Sequence, residues 1–138
     1  MSEGSRQNMV FDTSAIIKVV RHYPGFERAQ QLLQKVNKKE ARGLINPASI
    51  FEIITILGPK GLDIALKTIN YLEKIGFEES ATSIEDAKKA ALLRIENFGL
   101  NLSLADWLIV QTGIKQNATI VTSDKEWQKV KEAKVIVV

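Results

Sequence analysis

Residues 9–14 have the sequence MVFDTS, a short apolar run that ends in an acidic residue followed by two hydroxyl residues. The apolar run is typical of a short buried strand, and the pattern from Thr13 to Val20 is typical of a helix. Residues 119–124, TIVTSD, show the same arrangement near the other end of the chain. Strands that end in this way and alternate with helices predict an α/β fold with a mainly parallel sheet.

The rest of the chain extends this alternation around the two stretches. A capping residue and a proline at the first helical position, Asn46-Pro47, start one helix, and Ser83 and Ser103 precede two others. The predicted strands are residues 9–11, 43–45, 76–79, 119–122 and 135–138. The predicted helices are residues 13–20, 26–37, 47–57, 62–75, 84–98, 104–116 and 125–131. This order predicts a three-layer α/β/α sandwich around a central sheet of four or five short strands.

The size and composition of the chain predict one globular domain. Its 138 residues fit a single domain, and 45% of them are hydrophobic, which is enough for a core. We expect the polar residues 1–8 to be frayed and residues 9–138 to form the domain. No apolar run approaches the roughly 20 residues of a membrane helix, the first residues lack the order of a signal peptide, and cysteine is absent. These features predict a cytoplasmic protein that does not bind membranes, without disulfides or thiolate metal sites.

Three aspartates stand where an acidic residue has both a structural and a chemical explanation. Asp12 follows one predicted strand and Asp124 follows another after a single serine, at the sheet edge where such folds bind ligands. Asp106 opens a helix in the sequence SLAD, which has the form of a capping box. The structural explanation is that all three cap helices or complement helix dipoles. Each aspartate alone therefore leaves capping and function open.

Glu52 is harder to explain by capping. It lies too far from Asn46 to cap its helix, and its neighbours around the helix are apolar in nearly every direction. The pattern predicts that little of this helix faces water, so the carboxylate must be paired, protonated or bound to a cation. A buried salt bridge and a functional site are the two alternatives.

Taken together, the four acidic residues predict a metal site. Two follow strands at the same edge of the sheet, one opens a helix and one lies inside a helix, without histidine or cysteine beside them. A set of carboxylate ligands suits a hard cation such as Mg²⁺ or Mn²⁺ rather than zinc. The net charge of +3 is compatible with a nucleic-acid ligand but does not by itself indicate one.

Four segments that contain these acidic residues resemble the PIN-domain family of ribonucleases. They correspond to the first strand and first acid, the second-acid helix, the third-acid helix and the closing segment: residues 10–14 (VFDTS), 46–53 (NPASIFEI), 104–110 (LADWLIV) and 120–127 (IVTSDKEW). The match covers nearly the whole chain. The size of the chain resembles that of proteins in the toxin branch of the family, the VapC-like ribonucleases. The resemblance implies a PIN-like nuclease domain over residues 9–138.

The resemblance also implies a role for each residue in a metal-dependent endoribonuclease. Asp12, Asp106 and Asp124 would be the principal ligands of Mg²⁺ or Mn²⁺, and Glu52 would complete the site or orient the attacking water. The hydroxyl residues that flank the acids are Thr13, Ser14, Thr122 and Ser123. They would orient the carboxylates or contact a phosphate. The alternative is helix capping and turn chemistry, which we prefer for Ser14 and Ser123. Basic residues near the same edge would bind RNA, unless they form only a solvated helix face: Lys18, Arg21, Lys125, Lys129.

Toxin-like relatives usually dimerise and are silenced by a small antitoxin protein. The resemblance therefore implies RNA, an antitoxin and a second copy of the chain as partners. The hydrophobic helices, including residues 53–57 and 62–72, also predict a homodimer because they offer more apolar surface than one small core needs. Two alternatives are an RNA-processing nuclease of the same family outside a toxin–antitoxin pair, and a non-catalytic α/β interaction module. A haloacid-dehalogenase-like site is disfavoured because Ser14 stands where its second aspartate would be.

Overall fold

The structure, a computed structural model, describes residues 6–138. The strands are β1 (Gln7–Phe11), β2 (Ala41–Ile45), β3 (Glu78–Glu79), β4 (Thr119–Thr122) and β5 (Lys134–Val137). The helices are α1 (Thr13–Val20), α2 (Phe26–Asn37), α3 (Pro47–Leu57), α4 (Leu62–Lys74), α5 (Ile84–Glu96) and α6 (Leu104–Lys115). Two 3₁₀ helices, Gly58–Lys60 and Lys125–Lys129, follow α3 and precede β5. Within residues 6–138, no helix has the length and hydropathy of a membrane span.

The five strands form one parallel sheet in the order β3-β2-β1-β4-β5. Met9 in the central strand β1 lies opposite Gly43 of β2 on one side and Thr119 of β4 on the other. The chain first adds β2 and β3 on one side of β1, and then crosses to the other side for β4 and β5. The carboxyl ends of β1 and β4 therefore flank the switch point, where ligands bind in folds of this type.

Each face of the sheet is covered by helices. Alternate side chains of a strand point to opposite faces. Met9 and Phe11 pack in one core cluster with residues of α1, α2, α3 and α4, whereas Val10 packs in a second cluster with α5, α6 and the 3₁₀ helix Lys125–Lys129. The predicted three-layer α/β/α sandwich is confirmed, with five strands that are all parallel.

The predicted helix starts are confirmed in atomic detail. The Asn46 side chain accepts the backbone N–H of Ala48 at 2.8 Å, at the start of α3. Helices α5 and α6 begin with complete capping boxes, in which a serine and an aspartate three residues later each bind the other's backbone N–H. These local signals fix where each helix begins and thereby where Asp106 and Glu52 stand on their helices.

The first strand is longer than the sequence pattern predicts. It begins at Gln7, so the prediction of a frayed segment through Asn8 is wrong for these two residues, which pair with Ala41 and Arg42. Because both side chains are polar, the sequence pattern did not indicate a strand here. Both side chains form hydrogen bonds: Asn8 Nδ2 donates to the Gln116 carbonyl oxygen at 2.9 Å, and Gln7 Nε2 donates to Thr119 Oγ1. Residues 1–5 lie outside the described part of the chain. The last predicted helix is a shorter 3₁₀ helix that ends at Lys129.

Helix α3 is more exposed than predicted. Ile53 and Leu57 are buried, but Phe51 is 70% exposed, and Thr55 and Ile56 are exposed as well. The prediction that little of this helix faces water is therefore wrong for the single chain. Because nearly every side chain of α3 is apolar, its composition could not distinguish a buried helix from one with an open apolar face.

Candidate active site

One cavity of about 320 Å³ lies at the carboxyl ends of β1 and β4. All four predicted acidic residues line it. Asp12 follows β1, Asp124 follows β4, Asp106 lies in the first turn of α6, and Glu52 lies in the middle of α3. The fold thus brings together side chains from four separate elements. The other lining residues are Thr13, Ser14, Ile17, Tyr23, Ile56, Ser123 and Trp127.

Asp12 is held by two hydroxyl groups and does not cap the helix that it precedes. It occupies the N-cap position of α1, but its side chain accepts no hydrogen bond from the helix backbone. Its Oδ2 instead accepts from the Ser14 hydroxyl at 2.6 Å and from the Thr122 hydroxyl at 2.9 Å. The residue is only 4% exposed. The capping explanation therefore fails for Asp12.

Asp106 and Asp124 do act as caps. Asp106 Oδ2 accepts the backbone N–H of Ser103 at 2.9 Å and completes the capping box of α6. Asp124 Oδ1 accepts the backbone N–H of Glu126 at 2.9 Å, at the start of the 3₁₀ helix. Each cap uses one of the two carboxylate oxygens, so capping does not explain the second oxygen of Asp106 or of Asp124.

Glu52 is half-buried and is held by a single hydroxyl group. Its Oε1 accepts from the Thr13 hydroxyl at 2.8 Å. Among residues 6–138, no basic side chain forms an ion pair with it. The buried salt bridge, one of the two alternatives for this residue, is therefore wrong for the described residues. Because one side of α3 is exposed, the Glu52 carboxylate lies at the cavity without a basic partner from residues 6–138.

The four carboxylates share one pattern of hydrogen bonding. Each has one oxygen bound by a protein donor, which fixes the orientation of the group. Each has a second oxygen that accepts no hydrogen bond from residues 6–138, and a polar atom in such a place is available to a ligand. These second oxygens are Oδ1 of Asp12, Oε2 of Glu52, Oδ1 of Asp106 and Oδ2 of Asp124.

The acidic groups also perturb one another electrostatically. Burial raises the pKa of Asp12 from 3.8 to about 6. The hydroxyls of Ser14 and Thr122 lower that pKa, and the charges of Asp106 and Glu52 raise it further. Burial likewise raises the pKa of Asp106, and the charge of Asp124 adds to the effect. Carboxylate charges that repel one another in a partly dry cavity would be stabilised by a bound cation.

The PIN domain family profile matches residues 9–133. This chain belongs to the PIN domain family. The match spans nine-tenths of the chain and includes every acidic residue of the cavity. No curated protein sequence matches the chain.

Solved structures with the same fold are similar along almost their whole length but at low sequence identity. VapBC2 from Rickettsia felis, bound to a DNA fragment from its promoter, has a TM-score of 0.77 at 19% identity, with 96% of this chain and 99% of that chain covered. VapC20 from Mycobacterium tuberculosis, a sarcin-ricin loop cleaving toxin, has a TM-score of 0.75 at 12% identity, with 89% and 95% covered. VapBC-1 from nontypeable Haemophilus influenzae has a TM-score of 0.68 at 16% identity, with 95% and 98% covered. At these identities the likeness establishes the fold.

A divalent metal, which this PIN domain is expected to use, fits the chemistry of the cavity. The donors are carboxylate oxygens only, and four of those oxygens have no protein partner among the described residues. Within residues 6–138, no three acidic or histidine side chains are grouped tightly enough to hold one ion by themselves. Mg²⁺ commonly binds through one or two carboxylates and keeps several of its waters.

Three hydroxyl side chains in or beside the PIN domain cavity bind its carboxylates directly. Thr13 donates to Glu52, and Thr122 both donates to Asp12 and accepts the backbone N–H of Asp124 at 3.1 Å. Ser14, for which the sequence favoured a capping role, is the nearest donor to Asp12 and also accepts the backbone N–H of Ser123 at 3.0 Å. Ser123 contributes that N–H, and its side chain makes no hydrogen bond to the described residues.

The four basic residues predicted to bind RNA do not line the cavity. Lys18 donates to the carbonyl oxygen of Val138 at 2.9 Å, and Lys129 pairs with Glu126 at 3.0 Å. Both are therefore occupied within the chain. Lys125 is exposed beside the cavity, without a hydrogen bond or ion pair to residues 6–138, and its role in binding RNA stays a prediction. The fourth, Arg21, donates to the hydroxyl oxygen of a cavity residue, Tyr23.

Sequence reasoning missed the apolar part of the cavity. Ile17, Tyr23, Ile56 and Trp127 all line it. Trp127 is 1% exposed and belongs to the core, whereas Tyr23 is 45% exposed. In the sequence, the segment that contains Tyr23 could be identified only as the end of the helix α1. Residues that end a helix do not show which cavity the side chains after the helix will line.

Proposed function

We propose that this chain is a Mg²⁺- or Mn²⁺-dependent endoribonuclease and the toxin of a toxin–antitoxin pair. The proposal rests chiefly on the four carboxylates that line one cavity, each oriented by a protein donor and each with a second oxygen free of donors from residues 6–138. No lysine, arginine or histidine of these residues lines the cavity. A phosphodiester would be repelled by such a cavity unless a cation were bound, and membership of the PIN domain family supports a nuclease.

The carboxylates divide the work of hydrolysis. When bound, the divalent ion supplies an activated water and neutralises charge on the phosphate. Asp12, Asp106 and Asp124 would hold it. Glu52 would orient the attacking water and accept its proton as the water oxygen bonds to phosphorus and the bond from phosphorus to the leaving oxygen breaks. The leaving oxygen would take a proton from solvent. The donor from Thr13 fixes Glu52 before substrate arrives, so that little reorganisation is needed during the reaction.

RNA as substrate and an antitoxin as partner are supported by the kind of protein that shares the fold. VapC20 is a sarcin-ricin loop cleaving toxin, and a toxin–antitoxin complex from Klebsiella pneumoniae also shares the fold. The open apolar surface of α3 and α4 supports association with an antitoxin or with a second copy of the chain. Its exposed members include Phe51, Ile56, Leu62, Ile64 and Leu66.

A non-catalytic interaction module explains the cavity less well. It would account for Asp106 and Asp124 as caps, but Asp12 caps nothing, and Glu52 has neither a cap nor an ion pair within residues 6–138. An RNA-processing nuclease outside a toxin–antitoxin pair would use the same residues in the same way. It differs from the toxin only in its partners and its effect on the cell.

The central experiment incubates the purified chain with diverse RNAs in Mg²⁺, Mn²⁺ or EDTA. We expect internal cleavage of RNA with either metal, none with EDTA, and none with the Asp12→Asn variant. Cleavage that survives EDTA would remove the metal from the proposal, and no cleavage under any condition would favour the interaction module. Induced expression then tests the toxin: growth should stop with the parent and continue with Asp12→Asn. An RNA-cleaving parent that leaves growth unaffected would instead be an RNA-processing nuclease.

A further inference from the structure

The turn after α1 is built to hold one aromatic side chain at the cavity. His22 has a φ of +48°, a conformation that costs energy for a residue with a side chain. Its ring stacks on Phe26, with centroids 4.3 Å apart and planes within 3° of parallel. The next residue, Tyr23, donates its backbone N–H to the Lys18 carbonyl oxygen and accepts from the Phe26 N–H, both at 3.0 Å. The strained turn is therefore fixed at both ends, and it carries Tyr23 to the cavity.

The Tyr23 side chain is fixed as well as its backbone. Arg21 Nη1 donates to the Tyr23 hydroxyl oxygen at 3.0 Å, and Nη2 donates to the carbonyl oxygen of Ile56 at 3.4 Å, at the end of α3. The guanidinium thus joins the tyrosine to the helix that carries Glu52. Because the ring is already positioned, a ligand that contacts its face would lose little side-chain entropy on binding.

Tyr23 has a property that no other described cavity residue shares. It combines an aromatic face with substantial exposure, 45%, whereas the other aromatic lining residue, Trp127, is 1% exposed. The carboxylates suit a metal and a phosphate, but they offer nothing to a nucleobase other than hydrogen-bond acceptors. An exposed aromatic ring beside a phosphate site is the usual means of holding an unstacked base.

We propose that Tyr23 is a specificity-determining residue that stacks on an unpaired nucleobase next to the scissile phosphate. The inference rests on the proposed function, because it concerns the substrate of the same cavity. A base within a duplex is stacked on its neighbours and cannot present its face to the ring. Tyr23 therefore selects single-stranded or looped RNA over double-stranded RNA at the cleaved position, with Arg21 as the positioning residue that fixes the ring.

The test compares the binding of single-stranded and duplex RNA. The probe is an oligoribonucleotide that contains 2-aminopurine, whose fluorescence is quenched on stacking, used alone and annealed to its complement. Asp12→Asn is the background for all proteins, so that the probe remains uncut, and its integrity is checked on a denaturing gel. Into this background go Tyr23→Ala, Tyr23→Phe and Tyr23→Leu. The matched control is Tyr71→Ala, since Tyr71 on α4 is similarly exposed, at 41%, but does not line the cavity.

Tyr23→Ala and Tyr23→Leu should weaken single-strand binding by about fivefold to a hundredfold and abolish the quenching, because base–aromatic stacking typically contributes that much. Duplex binding should not change. Tyr23→Phe keeps the aromatic face and should stay within about threefold of the background, and Tyr71→Ala should match the background. Thermal melting confirms that each variant is folded.

Three results would overturn the inference. Equal loss of single-strand and duplex binding would show that Tyr23 acts only on the structure of the cavity. A loss in Tyr23→Phe as large as in Tyr23→Ala would assign the effect to the hydroxyl and Arg21. Unchanged single-strand binding in Tyr23→Ala would refute stacking while leaving the nuclease intact, whereas a parent chain that neither binds nor cleaves RNA would remove the proposed function and this inference together.

Discussion

The hydroxyl of Ser14 donates to Oδ2 of Asp12 at 2.6 Å, the shortest hydrogen bond to any carboxylate of the cavity. The same hydroxyl oxygen accepts the backbone N–H of Ser123 at 3.0 Å. One small side chain therefore connects the residues that follow β1 to those that follow β4. The orientation of Asp12 depends on both of these segments, although Asp12 itself belongs to only one.

Replacing Ser14 by alanine should reduce RNA cleavage by about 10- to 100-fold, the range typical for residues that orient metal ligands. The loss arises because Asp12 keeps only the Thr122 hydroxyl as a donor. The matched control is Ser83→Ala, which removes a serine hydroxyl from the capping box of α5, away from the cavity. Ser83→Ala should cost about 1 kcal/mol of stability, as lost caps typically do, and leave cleavage unchanged. Equal activity of Ser14→Ala and the parent chain would show that the Asp12 contact is dispensable.

Two capping boxes of the same form separate capping from catalysis. Asp106 and Asp86 both occupy the third position of a helix and both bind the backbone N–H of the preceding serine cap. Asp106→Asn should lower metal-dependent cleavage by orders of magnitude, whereas Asp86→Asn should not change it. Asp86→Asn should nevertheless lower stability, because Asp86 also pairs with Lys115 at 2.8 Å. Steady-state cleavage rates and thermal melting of both variants measure the two effects, and an active Asp106→Asn enzyme would reduce Asp106 to a cap.

Divalent ions should stabilise the folded chain. The acidic residues are gathered only in the folded state, so metal binds that state preferentially and stabilises it by about 2.7 kcal/mol at a hundredfold excess over the dissociation constant. Thermal melting in EDTA, Mg²⁺ and Mn²⁺ measures the shift. Asp106→Asn should respond less to metal, and its stability in EDTA should equal or exceed that of the parent because one repelling charge is gone. A parent melting temperature that is unaffected by millimolar metal would contradict a metal site.

Metal affinity should fall as the pH is lowered through about 6. Burial raises the pKa of Asp12 to about 6, and a carboxylate must lose its proton to bind a cation. Without metal, Asp12 keeps a proton between about pH 4 and 6 that the unfolded chain has released, so its contribution to stability falls as the pH rises through this window. Calorimetric titration with Mn²⁺ in buffers of different ionisation enthalpy should show proton release near pH 6. The release should be smaller in Asp12→Asn, and equal release by both proteins would assign the proton to another group.

The order of helices and strands along the chain was predictable because its signals are local. Asn46-Pro47 starts α3, and the serine caps start α5 and α6, through contacts within three residues along the chain. The gathering of the acidic residues was predictable from the rule that parallel strands end at one edge. The length of β1 was underestimated because Gln7 and Asn8 are polar, and their partners Ala41 and Arg42 lie more than thirty residues away.

The sequence could not show how each side chain is used. For Asp106 and Asp124, the sequence presented capping and metal binding as alternatives. A carboxylate has two oxygens, however, and each of these residues caps with only one. It suggested that Lys18 and Lys129 bind RNA, since neither the Val138 carbonyl nor the Glu126 pairing is visible without the fold. Tyr23 was missed for the same reason: the path of its turn toward the cavity depends on tertiary packing.

The pairing of β1 with β4 also determines when, during synthesis of the chain, the cavity can be assembled. Met9 lies beside Thr119 and Val10 beside Ile120, although more than a hundred residues separate the partners along the chain. Contacts this distant form late and slowly compared with helices and neighbouring strands. A nascent polypeptide therefore carries Asp12 and Glu52 through most of its synthesis before the cavity is assembled. Only after residue 124 has left the ribosome and docked can all four carboxylates line one cavity, so under the proposed function a translation product that stops earlier would not cut RNA.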